Sequence, residues 1–175
     1  MIPKFPQFKS IQISDRSDIE KIANKYDPYS EYDFASLWSW DVSQQHKISE
    51  LNGNIVLILS DHFSEELFYT FLGNNMLSQT LKQIFAFPIE GSSNGPILKL
   101  VPEVSLSGID LSKIIIEIDL DNYDYIFDLK EHSVFEGSKY GTKRKSANRF
   151  HRNNPESVVE VLDLKLDSSK QRILE

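Results

Sequence analysis

Between Gly137 and Pro155 the chain carries six basic side chains, Lys139, Lys143, Arg144, Lys145, Arg149 and Arg152, and no acidic one. On a helix, Lys145, Arg149 and Arg152 fall at i, i+4 and i+7 and share one face, while Lys139 and Lys143 share a face one turn earlier. Like charges so placed repel, so they call for an answering anion, and solvation or pairing with acids of the same protein accounts for them slightly better than an external phosphate. The segment Gly137–Gly141 (Gly-Ser-Lys-Tyr-Gly) places backbone N–H groups ahead of that helix, as anion-binding turns do. Taken alone, a flexible lead-in to the helix is the better account of it.

Other chemistry-bearing residues form weaker patterns. His46, His62, His132 and His151 are scattered without metal-ligand spacing. The acids Glu117, Asp119, Asp121, Asp124 and Asp128 are dense, and strand alternation would put the first three on one face. That arrangement suits a solvated acidic face better than a cation site. Tyr29, Tyr32, Phe34, Trp38 and Trp40 read first as buried aromatic packing and only second as a ligand cleft. The sequence contains no Walker loop, dinucleotide fingerprint, zincin helix or nucleophile elbow.

The elements that must position these residues follow from periodicity. Residues 8–13 alternate as an opening strand, and Ser14 and Asp15 cap a helix running to Tyr26, stopped by Asp27 and Pro28. A short helix takes in Phe34, Leu37 and Trp38. Residues 46–51 and 55–59 flank Asn52-Gly53 as a hairpin, 67–72 is a third strand, and Met76, Leu77, Leu81, Ile84 and Phe85 recur at helical spacing. Residues 91–96 form a loop. Further strands are expected at 97–101, 113–118, 125–127 and 157–166, a basic helix at about 138–153, and a helix start after Asp167. The fold class is thus α+β (mixed α/β), a mixed, mostly antiparallel sheet flanked by helices.

Composition sets the outer limits. With 175 residues, 40% hydrophobic and 26% charged, the chain is long and apolar enough to fold around a core of its own. A net charge of −7 opposes wholesale coating of nucleic acid, although six of the 19 basic residues are concentrated in one stretch. The absence of cysteine excludes disulfides and thiolate chemistry and suits a reducing, cytoplasmic setting. The longest apolar runs are strand-sized, so no membrane span is expected.

The residues from Asn122 to Asp128 and from Phe135 to Phe150, with the earlier run from Tyr29 to Trp40 preceding a hairpin, resemble the family of phosphatidylglycerol lysyltransferase C-terminal domains. The resemblance covers nearly the whole chain. Lys143-Arg144 match a Lys-Arg pair of that family, while Gly141 stands where it usually has His. It implies tandem acetyltransferase-like (GNAT-like) units related to Fem-type aminoacyltransferases. The first would span 1–153 including the basic bridging helix, and 154–175 would hold the first strand and helix start of a second, truncated unit. The implied activity is acyl or aminoacyl transfer, with aminoacyl-tRNA or an acyl-CoA as donor and Lys139, Lys143, Arg144, Lys145 and Arg149 as phosphate or tRNA contacts. No catalytic residue, bound metal or resident cofactor is assigned by it. The missing unit or a second copy would be the protein partner. The rival expectation is a non-catalytic binding or scaffolding domain. A self-contained acetyl-CoA enzyme is disfavoured, because Glu136–Gly141 lacks the spacing of a pyrophosphate loop.

Overall fold

Asn52 and Gly53 both adopt positive φ, 55° and 83°, the pairing a two-residue type I′ hairpin turn demands. They join β2 (Lys47–Leu51) to β3 (Asn54–Ser60) in antiparallel register, with Leu51 opposite Asn54 and Lys47 opposite Ile58. The computed structural model describes every residue except 42–43, 62–63, 91, 93–94, 111–113 and 175. The chain divides into two compact units, Met1–Asp124 and Tyr125–Glu175. The boundary read from the sequence lay at 153; in the structure the basic helix belongs to the second unit.

In the first unit, β1 (Lys9–Ser10), β2, β3 and β4 (Leu67–Leu72) form an open antiparallel sheet in chain order. The unbroken apolar run of β3 is explained by burial on both faces. Ile55, Leu57 and Leu59 join one core with Ile19, Phe34 and Leu37, from α1 (Arg16–Ala23) and α2 (Phe34–Ser39). Val56 and Ile58 join the other with Leu77, Leu81 and Ile84 from α3 (Leu77–Phe85). Asp33 caps α2, its carboxylate accepting from the Ser36 amide at 2.9 Å.

A buried polar relay ties the following segment to the sheet. The Thr70 hydroxyl donates to the Leu100 carbonyl (2.9 Å) and lies 2.7 Å from the Tyr32 hydroxyl. Burial pushes the Tyr32 phenol well above its usual range and the Tyr69 phenol up to about 12. The strand expected at 97–101 shrinks here to a single parallel bridge, Leu98 beside Tyr69. Leu100 has φ 54°, which ends the extended conformation, and Pro102 follows.

The later strands are corrected as well. Residues 114–118 and 125–127 join no ladder, and Lys113 lies outside the described residues. Residues 157–166 are irregular, with Val158, Val159 and Val161 at 87%, 88% and 94% exposure. Alternation alone does not make a strand: its backbone groups need a neighbouring ladder. In the described residues of the second unit the regular elements are helices, α4 (Leu129–Val134), α5 (Gly141–Asn153) and α6 (Asp167–Leu174). The start of a helix at Asp167 agrees with the expectation. No helix among the described residues is long and apolar enough to cross a membrane.

Candidate polyanion interface

The basic helix is held by the short helix before it, which hydrophobic periodicity alone does not signal. Asp128 caps α4 by accepting from the Glu131 amide at 2.9 Å. Phe135 closes that helix in the left-handed conformation, a position that glycine or asparagine fills at least cost. Gly137, at φ 85°, turns the chain into a 3-10 turn, Ser138–Tyr140, that leads directly into α5.

An aromatic knot fixes this corner. The His132 ring lies 4.8 Å from Phe127, 5.8 Å from Phe135 and 5.3 Å from Tyr140, centroid to centroid. Tyr140 is buried, and its edge-on contact with the imidazole is a favoured geometry.

Three of the five expected phosphate contacts are engaged in this corner. Lys139 forms a 2.5 Å ion pair with Glu131; their mutual hydrogen bond holds the Glu131 carboxyl below and the Lys139 ammonium above their ordinary values. Lys143 donates to His132 Nε2 at 3.0 Å and stands 5.8 Å from the Phe127 ring centroid. Arg144 donates from Nη1 to the carbonyls of Phe135 and Gly137, the latter at 2.7 Å.

Lys145 and Arg149, with Arg152, remain. All three are exposed and have no ion pair among the described residues. At about 100° per residue they lie within about 60° of one another around the α5 axis, with Lys143 on the opposite side toward α4. The first turn of α5 holds no acid. Its Lys143 and Arg144 therefore sit where the helix dipole favours negative charge.

The other expected groupings separate. Glu117, Asp119 and Asp121 share no strand face; Asp119 accepts from Asn122 Nδ2 at 2.8 Å, Asp124 from the Ser30 amide at 3.1 Å, and Asp128 is a helix cap. Among the described residues no three His, Asp or Glu side chains gather as a metal site. His46 is buried with Nδ1 3.4 Å from the Leu37 carbonyl, His151 packs edge-on to Phe150, and His62 lies outside the described residues. Of the aromatic cluster, Tyr32 and Phe34 are buried, but Trp40 is 64% exposed because it follows the last turn of α2 and leaves its core face.

Sequence reasoning did not find a cavity of about 530 Å³ in the first unit, bordered by Glu31, Trp40, Asp61, Phe68, Lys99 and Asp119 among others. These residues are scattered along the chain between Ser30 and Asn122, so no linear spacing signals them. Only the aromatic run ending at Trp40 offered a hint. No protein-family model matches this chain, and no curated protein or solved structure shows significant similarity to it.

Proposed function

We propose that α5 is the polyanion-binding helix of an acyltransferase-like protein, with aminoacyl-tRNA as the donor whose phosphates it contacts. The observation that carries this reading is the exposed stripe Lys145, Arg149 and Arg152 on a helix lacking any acid. Each such cation that meets a phosphate releases condensed counterions, which contributes affinity and makes it salt-dependent. The open antiparallel sheet, with a single parallel bridge at Leu98, is the α+β framework this reading assumes. No general base is assigned.

A second reading has an observation of its own. Lys139, Lys143 and Arg144, half of the basic stretch, are engaged within the second unit. That favours a non-catalytic interaction domain whose helix is stabilised for docking. Titrating the full chain with bulk aminoacyl-tRNA and with uncharged tRNA over a range of salt concentrations separates the readings. The transferase reading expects salt-sensitive binding that Lys145→Glu/Arg149→Glu abolishes. Absence of tRNA binding by the wild type rejects it in favour of the interaction domain.

A further inference from the structure

The cavity of the first unit combines an apolar wall with an unbalanced set of charges. Leu37, Leu59 and Phe68, all buried members of the sheet-side core, form its floor, and Trp40 contributes an exposed indole at the border. A volume of about 530 Å³ is within the range of small-molecule sites, which pair apolar walls with a few placed polar groups.

The charges decide what class of molecule fits. Glu31, Asp61 and Asp119 border the cavity, and Lys99 is the only lysine or arginine among its described lining residues. Lys99 is committed: its Nζ lies 3.3 Å from Asp61 and 5.4 Å from the Phe68 ring centroid. It therefore offers an incoming anion little, while Glu31 and Asp119 have no cationic partner among the described residues. A carboxylate or phosphate ligand would meet two uncompensated negative charges. A divalent metal is poorly served, since among the described residues no three carboxylate or imidazole groups converge.

From this arrangement we infer that the cavity binds a small organic ammonium, its apolar body against Leu59 and Phe68 and its charged nitrogen between Glu31 and Asp119 beside the Trp40 indole. Supporting chemistry comes from both sides. Burial, reinforced by the charge of Asp124, pushes the Glu31 carboxyl up, a cost that an adjacent ammonium removes. An indole face adds cation–π attraction for the same nitrogen. The inference stands on the first unit alone and holds whether or not α5 binds tRNA.

The test is isothermal titration of the full chain with 2-phenylethylamine and cadaverine, using 2-phenylethanol as the neutral counterpart of the first. The amines bind, and 2-phenylethanol binds at least about tenfold more weakly than 2-phenylethylamine. The double substitution Glu31→Gln/Asp119→Asn lowers amine affinity by about tenfold or more and leaves alcohol binding unchanged. Wild-type comparison of amine and alcohol needs no variant, so it holds even if the double variant folds poorly. Equal binding of amine and alcohol, or no amine binding in the millimolar range, overturns the inference. Unaltered amine affinity in a folded double variant overturns it as well.

Discussion

The guanidinium of Arg144 donates to the Gly137 carbonyl across 2.7 Å, making this arginine a brace for the α4–α5 corner. Its second bond, to the Phe135 carbonyl, satisfies a group exposed by the left-handed end of α4. A residue expected to contact phosphate thus does structural work. Arg144→Lys keeps the charge but loses the planar guanidinium that holds Nη1 between the two carbonyls. Amide hydrogen exchange is expected to quicken across 135–145 in that variant, while tRNA affinity changes less than in Lys145→Gln. The opposite order would return Arg144 to the ligand-contacting set.

Asn54 is fully buried at the start of β3, and its side chain holds the turn before α3. Nδ2 donates to the Asn75 carbonyl at 2.8 Å, and Oδ1 accepts from the Asn75 amide at 3.0 Å. Asn54→Ala removes the partner of the Asn75 amide, while Thr80 Oγ1 still donates to the Asn75 carbonyl, and is expected to cost roughly 1–2 kcal/mol. Gly73 stands beside it with φ 121°, and a Cβ there would lie 2.3 Å from Asn54 Oδ1. Gly73→Ala is therefore expected to destabilise as well, through both strain and overlap. Both tryptophans, Trp38 and Trp40, lie in the first unit, so denaturant unfolding followed by their fluorescence reads these effects directly. Wild-type midpoints in either variant would contradict the described network.

These cases show where sequence is informative. The Asn52-Gly53 hairpin, β4 and α3 were legible because local turn chemistry and periodicity coincide with burial on a packed face. The strand at 157–166 was misread because its alternation was genuine while the neighbouring ladder was lacking. Leu98 pairs with Tyr69, but the reversal at Leu100 depends on a left-handed leucine that no propensity favours. At the candidate site, the charge stripe and the helix were visible in advance. Which cations would be consumed internally was not, since Lys143 is assigned to His132 and Arg144 to Gly137 only once α4 is in place.

The raised Glu31 carboxyl gives a pH signature. Its folded-state pKa lies above its unfolded value through burial, so the folded state holds the proton more tightly. The stability tied to that proton is complete below the unfolded pKa and disappears as pH rises through the folded one. Glu31→Gln keeps the shape without the buried charge. The variant is expected to melt higher than wild type at neutral pH, with the gap closing as the solution is acidified through the carboxylate range. A gap that is constant with pH, or of opposite sign, would show that Glu31 is well solvated.

Asp15 is fully buried beside the opening strand, its carboxylate accepting from Lys9 Nζ and from the Gln12 amide at 3.0 Å. Asp15→Ala leaves both donors without a partner and is expected to cost about 3 kcal/mol or more, as loss of one member of a buried pair does. Lys9→Met is expected to cost more, because it leaves the fully buried Asp15 carboxylate with the Gln12 amide alone, whereas in Asp15→Ala the partly exposed Lys9 can turn to solvent. Chemical denaturation of the two variants checks the order, and a smaller loss in Lys9→Met would mean that the buried Asp15 carboxylate is sufficiently served by the Gln12 amide.

The role of α5 is tested by the salt dependence of aminoacyl-tRNA binding by wild type and by Lys145→Glu/Arg149→Glu. Three exposed cations on one face of α5 predict that log affinity falls against log salt with a slope of about −2 to −3. The double reversal is expected to bring both slope and affinity close to zero while α5 keeps its exchange protection. Wild-type affinity and slope in a folded double variant would contradict the assignment of α5 as the polyanion-binding helix.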